Sequence, residues 1–138
     1  SGYLATKIAQ NHQITATDII IPAKLIKTNP KIKFLVANAQ NLTFKNKTFD
    51  TVVCTHTLEH IQDISSAITQ LRRVTKKRLI IVVPKQRPYR YTFDLHLHFF
   101  PYPQSLIVVM GKGQNRKSFC KEIGGRFILS GRFLNLQL

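Results

Sequence analysis

Apolar and polar positions along this chain recur with two periods, and each change of period marks an element. Leu4 and Ile8, with Ala5 and Ala9 beside them, stand at helical spacing, so residues 2–11 are predicted to form a helix. Ile14–Asp18 is a short β-branched run that ends in an acid and reads as a strand. Residues 22–27 suit a short helix, which Asn29-Pro30 would stop. Residues 31–37 read as a second strand, and 42–49 as a polar loop around Lys45-Asn46-Lys47. Phe49–Thr55 is a third strand. Its consecutive Val52, Val53 and Cys54 are what a strand covered on both faces requires. Asp63 is placed to cap a helix running to Val74, with Ile64, Ala67, Ile68, Leu71 and Val74 as its apolar stripe. Residues 78–83 form an apolar strand closed by Pro84. Strands that alternate with helices imply a parallel sheet with crossover connections.

Beyond Pro84 the pattern weakens. Residues 86–92 read as a basic, aromatic loop, 95–100 as extended chain, and Pro103–Met110 as a helix. The tail from 118 to 138 carries Gly124-Gly125 and Gly131 between β-rich runs, which predicts antiparallel strands. No internal repeat or low-complexity segment is visible.

Composition narrows the class. The chain has 138 residues, 43% of them apolar, so it can bury a core as a single domain and is not expected to be disordered. No apolar run approaches the roughly 20 residues of a membrane span. Two cysteines, Cys54 and Cys120, are too few for a disulfide framework. Both lie among apolar residues and read as reduced core thiols of a cytoplasmic protein. The net charge of +15 favours anionic partners such as nucleic acid or another polyanion, with a solvated basic face as the plainer reading. Eight of the 21 basic residues fall between Arg72 and Arg90.

The stretch 37–61, ANAQNLTFKNKTFDTVVCTHTLEHI, resembles the region after the third strand of small class I methyltransferases that use S-adenosylmethionine, of the ubiquinone-biosynthesis-like kind. Phe49-Asp50-Thr51-Val52-Val53 followed by Leu58-Glu59-His60-Ile61 carries most of the likeness, which extends over about residues 2–84. The resemblance implies a Rossmann-like, doubly wound α/β fold with a mainly parallel sheet and antiparallel strands at the C-terminal edge. Its cofactor would be S-adenosylmethionine, and its reaction methyl transfer to an unidentified acceptor. Ligands of such sheets sit at the carboxyl ends of the strands. There the resemblance gives Asp18 the ribose diol, Asn38 the adenine amine that an acid usually takes, and Ala39, Gln40, Thr55 and His56 further cofactor contacts. Asp50 would be structural. His60 and His96 are the candidate general bases, and Tyr91 joins His96 as a candidate acceptor contact.

In that family a central strand and a Gly-x-Gly-x-Gly turn precede the first helix, and of this turn only Gly2 stands here. The expectation is therefore a domain lacking its N-terminal strand, completed by residues ahead of Ser1 or by a second copy of the chain. Cofactor binding by residues 1–138 alone would be weak. A non-catalytic nucleic-acid-binding module and an inactive member of the fold are the alternatives. Some members bind magnesium through Glu-x-x-Glu-His and a later histidine. This chain has His56-x-x-Glu59-His60, then His96 and His98. His56 stands where the first acid would be, and magnesium prefers oxygen, so no metal site is expected. A histidine-rich set would suit zinc better, but nothing in the sequence sets its geometry.

Overall fold

The computed structural model of the chain describes residues 2–87, 96–111 and 118–132. These fall into two compact units, residues 1–38 and 39–138.

In the first unit, α1 (Tyr3–Ile8) leads to β1 (Ile14–Asp18), α2 (Ala23–Thr28) and β2 (Ile32–Val36). The two strands pair in parallel, Ile14 opposite Ile32 and Asp18 opposite Val36. Ala37 N–H donates to the Asp18 carbonyl at 3.0 Å, so Asp18 and the chain entering Asn38 share the carboxyl-terminal edge of this pair. Gly2 precedes α1 with φ of +66°. A Cβ there would meet Leu25 of α2 at 2.6 Å, so the lack of a side chain is accounted for by helix packing. Thr6 donates to the Asn29 side chain at 3.0 Å and ties the two helices together. Ile32 is the one buried hydrophobic residue described in this unit.

The second unit contains β3 (Phe49–Thr55), a single 3₁₀ turn (Leu58–His60), α3 (Ile64–Val74), β4 (Thr75–Pro84), α4 (Pro103–Met110), β5 (Ser118–Ile123) and β6 (Arg126–Arg132). Its four strands lie in the order β3-β4-β6-β5. β3 and β4 are parallel, whereas β6 is antiparallel to both β4 and β5. The mixed sheet expected from the sequence is therefore present, antiparallel strands included. Gly124 and Gly125, at φ of +53° and +69°, make the two-residue turn between β5 and β6. Such turns need left-handed backbone at both positions.

Asp63 caps α3 by accepting from Ser66 N–H at 3.0 Å. Ala67, Ile68, Leu71 and Val74 bury the predicted stripe against the sheet, where Leu79, Ile81 and Val83 alternate inward from β4. Phe100, Leu106, Phe127 and Leu129 complete the core from the C-terminal half, which the sequence pattern did not single out.

Two expectations change. β4 begins at Thr75, directly after α3, and not at Arg78. Thr75 is polar although buried, and Lys76, Lys77 and Arg78 are exposed, so hydrophobicity could not mark the start of the strand. Burial of β3 on both faces is not found: Val53 is 39% exposed, because β3 pairs with one neighbour only among the described residues.

The basic run from Arg72 is more engaged than a solvated face would be. Arg73 donates to the carbonyls of Leu42 and Phe44, both at 2.6 Å, and Arg72 donates to the Met110 carbonyl. Lys77 pairs with Asp50 at 3.0 Å, and Lys85 with Glu122 at 2.9 Å. Arg87 lies over the Tyr102 ring at 5.7 Å. Lys76 and Arg78 face solvent.

Candidate functional site

The candidate residues divide between the two units. Asp18 ends β1 with an exposed carboxylate whose Oδ1 accepts from the following Ile19 N–H at 2.8 Å. Its Oδ2 accepts from no described group, so it keeps lone pairs for a ligand diol. Asn38 is exposed two residues beyond the end of β2, on the same edge as Asp18. Gly2 lies at the opposite end of the sequence order, at the start of α1.

In the second unit, Gln40 serves the fold. Its side-chain carbonyl accepts from Asp63 N–H at 2.9 Å, beside the start of α3. Ala39 is the half-buried residue before it. Thr55 closes β3, and its carbonyl accepts from the Thr57 hydroxyl at 2.9 Å. The chain then turns sharply at His56, a non-glycine residue at φ of +48°. Left-handed backbone of this kind is costly and persists where surrounding contacts enforce it. Here they do: His56 N–H donates to the Val82 carbonyl at 2.9 Å, and the ring is held from both sides. Arg126 Nε donates to His56 Nε2 at 3.2 Å, which leaves the proton of the neutral ring on Nδ1. That Nδ1 lies 3.4 Å from Glu59 Oε1.

Glu59 is the least ordinary residue here. It is 1% exposed, and neither carboxylate oxygen makes a well-directed hydrogen bond. The 3.4 Å contact from His56 is within ion-pair range but is not a directed hydrogen bond. Buried carboxylates are costly unless satisfied. The backbone around Glu59 is firmly placed: its carbonyl accepts from Leu97 N–H at 2.7 Å and from His98 N–H at 3.1 Å. His98 Nε2 in turn donates to the Ile61 carbonyl at 2.8 Å. Those bonds fold the segment after 95 over the 3₁₀ turn and bring His96 beside His60. The two rings stand edge to face, with centroids 4.6 Å apart. His96 Nδ1 donates to the Gln86 side-chain carbonyl, so its Nε2 is the nitrogen that carries a lone pair. One ligand atom each from Glu59, His60 and His96 lies within 4.8 Å of the other two.

Thus the structure brings His60 and His96 together beside Glu59, and adds Gln86 and Arg126, which the sequence reading had not proposed. Glu59 was legible as the second acid of the Glu-x-x-Glu-His pattern, but its burial and its lack of a directed hydrogen bond were not. Tyr91 and Arg90 lie outside the described residues.

Residues 1–83 match the family model of the methyltransferase domain. The chain belongs to that family. The demethylmenaquinone methyltransferase of Streptomyces griseus is 34% identical over 74 residues, which is 50% of this chain and 32% of that protein. A second curated relative, from Streptomyces avermitilis, has 33% of its length covered, so the chain spans about a third of the curated relatives it matches. Among solved structures, a SAM-dependent methyltransferase from Aquifex aeolicus superposes with a TM-score of 0.70 at 13% identity, over 96% of this chain and 74% of that one. The 1,6-didemethyltoxoflavin-N1-methyltransferase of Burkholderia thailandensis, solved with bound 1,6-didemethyltoxoflavin and S-adenosylhomocysteine, gives 0.66 at 15% identity, over 96% of this chain and 66% of that one. At these identities the two structures show that the methyltransferase chain shares their fold.

Proposed function

We propose that this methyltransferase chain takes part in methyl transfer from S-adenosylmethionine to a nucleophilic oxygen, nitrogen or carbon of an acceptor. The observation that carries the reading is family membership over residues 1–83, a span that includes Asp18 and the Leu58-Glu59-His60 turn. Asp18 fits the cofactor: an exposed carboxylate at the carboxyl edge of a parallel strand pair, with one oxygen uncommitted, suits a ribose diol. Asn38 offers a side-chain carbonyl on the same edge to the adenine amine. Gly2, Ala39, Gln40, Thr55 and His56 complete the cofactor assignment, although Gly2 and Gln40 also have packing and capping duties in this structure. S-adenosylmethionine supplies a methyl group already activated on sulfur, so the protein's share is orientation and removal of the acceptor's proton. His96 Nε2 and the His60 ring are the groups for the proton.

Calorimetric titration with S-adenosylhomocysteine tests the cofactor side. Asp18→Ala is expected to weaken binding by about 1.5–3 kcal/mol, the scale of hydrogen bonds to a charged group. An Asp18→Ala protein that binds as well as the parent would remove Asp18 from the site.

A further inference from the structure

Glu59, His60 and His96 have the composition and spacing of a metal site, and we propose that they bind a divalent transition metal of the zinc class. Three observations converge. The first is the donor set: one carboxylate and two imidazoles, mutually within 4.8 Å. A carboxylate with two histidines is a known three-ligand set for zinc, and imidazole disfavours magnesium. Ligand atoms around tetrahedral zinc stand about 3.3–3.5 Å apart, as bond lengths of about 2.0–2.2 Å require. Closing from the present spacing therefore takes about an ångström of side-chain movement. His60 lies exposed on its 3₁₀ turn.

The second observation is Glu59 itself, 1% exposed with both oxygens lacking a directed hydrogen bond. A cation at the cluster would satisfy a carboxylate whose polar neighbour, His56 Nδ1 at 3.4 Å, makes no directed hydrogen bond to it. The third is the setting of His96. Its Nδ1–H donates to the Gln86 carbonyl oxygen, which fixes the tautomer with Nε2 free to ligate. Metal-binding histidines are characteristically oriented by such an outer hydrogen bond. The cluster grades from buried Glu59 through half-buried His96 to exposed His60, so an ion can enter from solvent. Three protein ligands leave a fourth position open to water or to an oxygen of the acceptor, and in the metal-bound form the His60 and His96 nitrogens ligate and no longer serve as proton acceptors.

The site stands whether or not the chain transfers methyl groups, because its test is binding. Chelator-stripped protein is titrated with zinc chloride against a chromogenic competitor. One equivalent is expected to bind at micromolar or tighter affinity, and millimolar magnesium should not displace it. His60→Ala, His96→Ala and Glu59→Gln should each weaken zinc binding at least tenfold, while His12→Ala should leave it unchanged. A variant that misfolds is covered by a second measurement on the parent protein. In a zinc titration followed by NMR of the five histidine rings, His60 and His96 should shift and His12 should not. Zinc binding that survives both His60→Ala and His96→Ala, or that leaves their ring signals in place, overturns the assignment, as does the absence of binding below millimolar zinc.

Discussion

At the scale of single residues, the buried groups make the sharpest claims. Burial pushes the Cys54 thiol up to about 11 from an ordinary 9.0, with the nearby Glu59 adding to the rise and Thr57 opposing it. A thiol held protonated in the folded state stabilises it fully below pH 9, and that contribution is lost as pH rises towards about 11. Stability measured from pH 8 to 11 should thus fall less steeply in Cys54→Ala than in the parent. At pH 8 a thiol reagent should reach Cys54 only after denaturant is added. Arg73 is a second such residue. Its guanidinium fork ties the Leu42 and Phe44 carbonyls to α3. Arg73→Ala should cost about 1.5–3 kcal/mol in urea unfolding, and lysine should not rescue it, since a point charge cannot span two carbonyls. These residues also show what a sequence reveals. The Asp63 cap was legible because a cap is a local event, three residues long. Arg73 read as one more surface cation, because its partners are carbonyls in a loop that only folding brings near.

At the scale of elements, boundaries followed hydrophobicity and failed where it was silent. β1 and β3 span the residues their sequence pattern predicts, Ile14–Asp18 and Phe49–Thr55. The start of β4 was hidden by Lys76, Lys77 and Arg78, polar residues on an exposed stretch of strand. Gly124-Gly125 announced the β5–β6 turn because no other residue takes two successive left-handed conformations cheaply. A Cβ on Gly124 would approach nothing closer than Arg126 Nη1 at 3.8 Å, so any penalty is conformational. Gly124→Ala should therefore destabilise by about 1–2 kcal/mol in chemical denaturation, without changing the near-ultraviolet signature of the core. Glu59, His60 and His96 could be grouped from the Glu-His pattern and a later histidine, but the geometry of the cluster was not legible at this scale. Its members were all quoted in the sequence, but their convergence depends on Leu97 and His98 docking on the Glu59 carbonyl.

At the scale of the whole molecule, the core is unevenly shared. α1, α2 and β1 contain no buried residue, whereas α3, β4, α4 and β6 supply most of the interior of the second unit. Two paired strands with little apolar cover are marginal. Amide exchange followed by mass spectrometry should accordingly be much faster across residues 2–38 than across β3, β4 and β6. The same imbalance bears on the response to a ligand. A ligand that binds only the folded form adds RT ln(1 + [L]/Kd) to stability, about 2.7 kcal/mol at a hundredfold excess over Kd. For a unit this sparsely packed, such a term rivals what its own side chains contribute. On the proposed assignment of Asp18 to the donor's ribose, the bound nucleoside would act as a missing piece of interior. Residues 2–38 would then exchange their amides more slowly in excess S-adenosylhomocysteine than in its absence.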